Sequence, residues 1–136
     1  MEIIFKSKAD RKDVMLKTFL ADIMSDCSAK YHSRKEVARK LEEYYQASFY
    51  GLTNKTGNIL MTSFVLNFLN PKYASNKDYL ENVLSLPLEM ILNPAIEAGD
   101  FDIRNFNIVK NRLHDEILGV GENISRVTLK KALSKL

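Results

Sequence analysis

SRKEVARKLEEYYQASFYGLTNKTGNILMTSFVLNF, residues Ser33 to Phe68, is the stretch whose reading decides the fold. Ser33-Arg34-Lys35-Glu36 satisfies the capping-box pattern, in which a serine hydroxyl and a glutamate three residues on satisfy each other's free backbone donors. Val37 and Leu41 follow at helical spacing, so the run predicts an amphipathic helix from Ser33 to Ala47. An apolar strand, Phe49 to Thr53, comes directly after it. Asn54-Lys55-Thr56-Gly57-Asn58 then supplies the residue types that tolerate positive φ in a hairpin connection. The return strand runs from Ile59 to Phe68, and Asn70-Pro71 stops it. Along that strand Leu60, Thr62, Phe64, Leu66 and Phe68 share one face, while Ile59, Met61, Ser63, Val65 and Asn67 share the other. One apolar and one mixed face predict an α+β fold, with helices packed on one face of a small, mainly antiparallel sheet.

Upstream, Ile3, Ile4 and Phe5 form a short strand-like run within Met1 to Lys8, for which the sequence offers few neighbours. Asp10 or Asp13 can cap a helix whose stripe is Leu16, Leu20 and Ile23, widened by Phe19 and Met24. Polar Ser25 to Tyr31 ends it. Downstream, Ser75 to Leu92 reads as helical with Leu80, Val83, Leu84, Leu88, Ile91 and Leu92 buried, and Pro87 predicts a kink or two short helices meeting near Leu86. Asn93-Pro94 closes that segment. After Gly99, Asp100 is the expected N-cap of a long helix carrying Phe106, Val109, Leu113 and Ile117, with Gly119 and Gly121 as C-cap residues. Asn123 to Leu136 is again amphipathic, through Ile124, Val127, Leu129, Leu133 and Leu136, and its Lys130, Lys131 and Lys135 suit a helix C-terminus.

The 136 residues amount to one domain, and 46% hydrophobic with 27% charged residues is an ordinary globular balance. A net charge of +3, with acidic and basic residues interleaved, is weaker and less one-sided than a nucleic-acid footprint. No apolar run approaches the roughly 20 residues that span a bilayer, and Met1 to Lys8 lacks the features of a secretory signal. A cytoplasmic address is the expectation. The single Cys27 has no internal disulfide partner and suits a reducing compartment as a small packing residue.

Side chains with chemistry are sparse. The two histidines, His32 and His114, are far apart in sequence, and a site built from both with Asp26 or Cys27 has little to recommend it. Ser25, Ser28 and Ser63 sit in no nucleophile elbow, and Cys27 has His32 nearby but no orienting partner. Gly119-x-Gly121 follows a helix instead of a strand, which argues against phosphate binding. Arg34, Lys35, Arg39 and Lys40 form a basic cluster interleaved with Glu36, Glu42 and Glu43; this is a solvated face or, less economically, a site for an acidic partner. Tyr44, Tyr45, Phe49 and Tyr50 crowd the helix-strand junction as core or interface, or as a surface for a peptide.

Four pieces in series carry a resemblance. They are Ser33-Arg34-Lys35-Glu36 with Leu41-Glu42-Glu43-Tyr44-Tyr45-Gln46-Ala47; Gly57 through Asn67-Phe68-Leu69-Asn70-Pro71-Lys72-Tyr73; Ile91-Leu92-Asn93-Pro94; and Phe101 with Val109 to Ile117. Together, from about Ile3 to about Leu129, the chain resembles the pitrilysin or insulinase-type metallopeptidases, family M16, and the bacterial members that lack the zinc motif. The resemblance implies a partial domain, spanning 1–136, of the LuxS/MPP-like metallopeptidase fold. Catalytic members carry His-x-x-Glu-His on the helix before the capped one, so that two imidazoles on one helical face reach one zinc and the glutamate activates its water. Laid on this chain, the motif falls near Phe19-Leu20-Ala21-Asp22-Ile23, and Val14 to Met24 holds no histidine. Asp22 then takes the general-base position and Glu116 that of the family's later glutamate, without the imidazoles that would hold zinc.

What the resemblance implies is a catalytically incomplete subunit or fragment, with no catalytic residues, no metal ligands and no cofactor of its own. It would support peptide binding and processing through a zinc-bearing M16 partner, holding the peptide as an added strand. The alternative is a stand-alone peptide- or protein-binding module outside proteolysis; a divergent hydrolase with residues not identified comes third. Since the family's strands before and after are missing, the chain is expected to begin at an inner strand and to leave open sheet edges near Phe64 and Phe68, which homo-oligomerisation would fill. Neither nucleic acid nor a membrane is an expected partner.

Overall fold

The computed structural model describes residues 1–122, and the amphipathic segment Asn123 to Leu136 lies outside the described residues. The described elements run β1 (Glu2–Lys8), α1 (Arg11–Asp26), α2 (Arg34–Glu43), β2 (Ser48–Thr56), β3 (Ile59–Asn67), a 3₁₀ turn (Pro71–Tyr73), α3 (Tyr79–Leu92), β4 (Ile96–Glu97), β5 (Asp100–Phe101) and α4 (Ile103–Glu122). β1, β3 and β2 form an antiparallel sheet in the order β1-β3-β2, and β4 with β5 makes a two-residue hairpin. This is the α+β architecture expected, with helices against a small antiparallel sheet.

The cap itself is as the sequence predicts, with Ser33 Oγ accepting from the Glu36 N–H, but the return bond is displaced by one residue: Glu36 Oε2 accepts from the His32 N–H at 2.9 Å. The helix end is not as predicted. α2 stops at Glu43, because Tyr45 and Gln46 take left-handed backbone conformations with φ of 56° and 58° and turn the chain into β2. β2 itself is longer than Phe49 to Thr53, running to Thr56 opposite Ile59, so the connection shrinks to Gly57-Asn58. Gly57 has φ of 58°, the positive value at the first central residue that a tight hairpin turn of type II′ demands.

β3 is the inner strand, and β1 is an edge. Phe64 therefore lies in the core and not at a sheet margin, 4% exposed, and the open edge expected near it is at β1 instead. The apolar face of β3 (Leu60, Thr62, Phe64, Leu66) is buried as its alternation predicts. Phe49, Phe64 and Leu66 meet Val37 of α2 and Tyr79, Val83, Leu86 and Met90 of α3 in the main core. A second cluster joins Ile23 and Cys27 of the α1 end to Val109 of α4.

The helix stripes differ from those predicted. In α1, Ile23 is fully buried as expected, but Leu16 and Leu20 are exposed and Ala21 is fully buried in their place. The reason is contact with β2: a Cβ built on Gly51 would lie 2.5 Å from the Ala21 carbonyl oxygen, so α1 rests on the sheet through its small residues. Ser25 to Ser28, polar in composition, is buried. There the Ser28 hydroxyl accepts the Lys30 and Tyr31 N–H groups and donates to Glu89 Oε1. α3 starts at Tyr79, not Ser75, and runs unbroken through Pro87. Its buried side is Tyr79, Val83, Leu86, Pro87 and Met90, leaving Leu80, Leu88 and Leu92 exposed. Asp100 belongs to β5, and the cap of α4 is Asp102, whose Oδ1 accepts from the Arg104 and Asn105 N–H groups. α4 continues to Glu122, so Gly119 is inside the helix and does not cap it.

Candidate functional site

The hydrogen-bonding parity of the sheet decides what each edge offers. Met1 and Leu66 exchange both backbone hydrogen bonds, at 2.9 Å each. In an antiparallel ladder bonded and non-bonded pairs alternate, so β3 turns the backbone groups of Leu60, Thr62, Phe64 and Leu66 to β1 and those of the intervening residues to β2. β2 must then bond to β3 through Ser48, Tyr50, Leu52, Asn54 and Thr56. Its odd residues, Phe49, Gly51, Thr53 and Lys55, direct their N–H and C=O groups away from the sheet. The Ala47 N–H, outward by the same rule, is taken by the Leu41 carbonyl at 3.0 Å. Beyond it no strand covers this edge among the described residues.

The edge opens into a cleft of about 900 Å³. Gln46 to Thr53 form one wall, with Thr18, Asp22, Ser25 and Asp26 of α1, Val37 and Leu41 of α2, and Arg112, Leu113 and Glu116 of α4 around it. The two left-handed residues at the α2-β2 junction place Gln46 on this wall. Left-handed conformations cost non-glycine residues roughly 1–2 kcal/mol each, so the packing around them holds this turn against its local preference.

Charge in the cleft is organised by Arg112. Its guanidinium donates to Asp26 Oδ2 at 2.7 Å and lies 3.4 Å from Asp22 Oδ2, while Arg34 approaches Asp26 from α2 at 3.8 Å. Burial raises the Asp22 pKa above its ordinary value; Arg112 opposes this, and Glu116 and Asp26 add to it by repulsion. Burial alone would lower the pKa of Arg112, but Asp26 and Asp22 overcome it and hold the group above its ordinary value. Cys27 is buried, and desolvation pushes its thiol up to about 11, too high for a nucleophile at neutral pH.

Asp22 and Glu116, distant in sequence, both line this cleft, and a guanidinium sits between the carboxylates of α1. Among the described residues no three His, Cys, Asp or Glu side chains are arranged to hold a metal ion. His32 is exposed beside the α2 cap, its carbonyl accepting from Asn105, and His114 lies by Asp115 at 3.7 Å. The basic residues of α2 are spread over separate tasks: Arg34 meets Asp26, Lys40 pairs with Glu43 at 2.6 Å and covers the Tyr44 ring. Of the junction aromatics, Phe49 is core, Tyr44 half-buried, and Tyr45 and Tyr50 exposed; Tyr45 packs edge-on against Tyr79. Sequence reasoning missed Arg112. The available signal was the pairing of two carboxylates at i and i+4, Asp22 and Asp26, with an arginine and a glutamate at the same spacing on α4.

Fold and site define an α+β unit whose sheet edge is recessed in a cleft between helices. No family model and no curated protein matches the chain. Among solved structures it is similar to a conserved protein from Enterococcus faecalis V583, at a TM-score of 0.85 and 24% identity over 93% of this chain. That likeness shows the fold, and this chain spans 30% of the length of that one. Among the described residues no helix is long and apolar enough to cross a membrane.

Proposed function

We propose that this chain is a catalytically incomplete M16-like subunit or fragment that holds an extended peptide on the outer edge of β2, for processing by a zinc-bearing partner in the cytoplasm. The observation that carries it is the parity of that edge: Phe49, Gly51 and Thr53 offer backbone donors and acceptors to a cleft of about 900 Å³. An added strand satisfies those groups without reading sequence, which suits a peptide holder. Arg112 supports the incomplete half of the proposal, because Asp22, which the resemblance puts at the general-base position, is engaged with a side-chain cation. The greater length of the Enterococcus protein supports a unit that works as part of something larger.

Parity also sets the test. An extended peptide bound to β2 uses the backbone N–H of every second residue, so N-methylation at one set of alternate positions should abolish binding measured by fluorescence anisotropy, and methylation at the other set should leave it unchanged. Equal loss from both sets would overturn strand addition. Affinity capture of the tagged chain from its own cell extract should recover a zinc-motif M16 protein. Recovery of the chain alone or of unrelated proteins would reduce the proposal to a stand-alone peptide-binding module.

A further inference from the structure

Among the described residues β1 is a second edge that no strand covers, and its chemistry is different. By the same parity Ile3, Phe5 and Ser7 bond to β3, and Glu2, Ile4, Lys6 and Lys8 direct their backbone groups outward. The Ala9 N–H bond to the Asn58 carbonyl at 2.9 Å agrees, since Ala9 is odd. Ile4 is 46% and Phe5 50% exposed. Phe5 stands edge-on to Phe64 at the rim of an apolar pocket of about 310 Å³, lined also by Leu20, Met24 and Ile91. A seven-residue edge with exposed isoleucine and phenylalanine invites another strand.

The sequence of the edge indicates which strand. We infer that β1 pairs antiparallel with β1 of a second copy of this chain, about a two-fold axis at Phe5, to make one continuous six-stranded sheet. In this register Glu2 lies opposite Lys8 of the copy, Ile4 opposite Lys6, Ile3 opposite Ser7 and Phe5 opposite Phe5. The outward-bonding residues, 2, 4, 6 and 8, meet one another as bonded pairs, as an antiparallel ladder requires. Each Glu2 gains a lysine partner on the face away from the helices. On the helix face the two Phe5 rings meet and join the two apolar pockets. A shift of the axis to Lys6 puts like charges opposite each other, which is unfavourable. Pairing of β1 with itself closes as a dimer, whereas pairing of β1 with β2 of another copy is head-to-tail and leads to a larger ring or an open filament. The β2 edge is recessed among α1, α2 and α4, where an extended peptide fits and a folded sheet does not. The inference is independent of what β2 binds.

The test uses the full 136-residue chain, 15.6 kDa, in sedimentation over a roughly hundredfold concentration range. Wild type should approach twice the monomer mass as concentration rises. Ile4→Pro removes an N–H that points away from β3, so the β1-β3 ladder survives, circular dichroism should be unchanged, and dimerisation should weaken by roughly tenfold or more. Glu2→Lys should weaken it too, and Glu2→Lys with Lys8→Glu should restore it. Phe5→Cys should form an intermolecular disulfide on oxidation, because a non-bonded antiparallel pair sets its Cα atoms about 4.5 Å apart, within disulfide reach. Asn54→Cys on β2 should not, and buried Cys27 does not compete. A chain that stays monomeric throughout, or a dimer indifferent to Ile4→Pro and uncrosslinked through Phe5→Cys, would overturn the inference.

Discussion

Ser28 shows how much one small polar side chain can organise. It is fully buried, and its hydroxyl takes the Lys30 and Tyr31 N–H groups while giving its proton to Glu89 of α3. Ser28→Ala should cost about 1–3 kcal/mol in urea unfolding, since two backbone donors lose their partner in a closed site. Asp22 works the other way. Its folded pKa lies above the unfolded value of 3.8, chiefly through burial, so the stability it contributes is present below that value and is lost as pH rises through the folded pKa. Asp22→Asn should therefore gain on wild type in thermal melts as pH rises above 3.8, where linkage predicts the change, and Arg112 keeps its 2.7 Å bond to Asp26. The sequence pointed to Asp22 as a position but left its partner unseen. The spacing on each helix was there to read, but nothing local says that two helices some ninety residues apart bring Asp22 and Arg112 together.

At the scale of elements, the close approach of α1 to β2 governs the most. Gly51 faces the Ala21 carbonyl oxygen, 2.5 Å from where a Cβ would stand. Gly51→Ala should destabilise the protein by about 1–3 kcal/mol in denaturant unfolding, the cost of overpacking a fitted contact. Because the nearest atom is backbone oxygen, trimming Ala21 to glycine should not rescue it. This contact also explains which helical stripes were legible. Val37 with Leu41 and the even residues of β3 declared their faces by simple periodicity, and the structure buries Val37, Leu60, Phe64 and Leu66. In α1 the expected stripe was half right: Ile23 is buried and Phe19 and Met24 pack against the core, but Leu16 and Leu20 are exposed, because the helix meets Gly51 of the sheet through Ala21. In α3, Tyr79 and Met90 carry the burial that Leu80 and Leu88 were expected to carry. The start of α2 was readable from four residues; its end was not, since no local signal marks tyrosine and glutamine for left-handed φ.

At the scale of the molecule, sheet order separates two kinds of edge, one recessed among helices and one open beside an apolar pocket. The hairpin was visible in the sequence because β2 and β3 are neighbours with a glycine turn between them. The place of β1 was not, because its partner lies roughly sixty residues away and nothing local records a long-range register. That separation has a consequence for synthesis. β1 leaves the ribosome before β3, and its ladder cannot close until β3 has followed, an interval of about 3–12 s at 5–20 residues per second. Through that interval a nascent chain carries an unpaired Ile-Ile-Phe strand, open to a chaperone or to the same strand on the next chain of the same message. Partner choice at this edge is therefore a matter of timing during translation as well as of affinity between finished molecules.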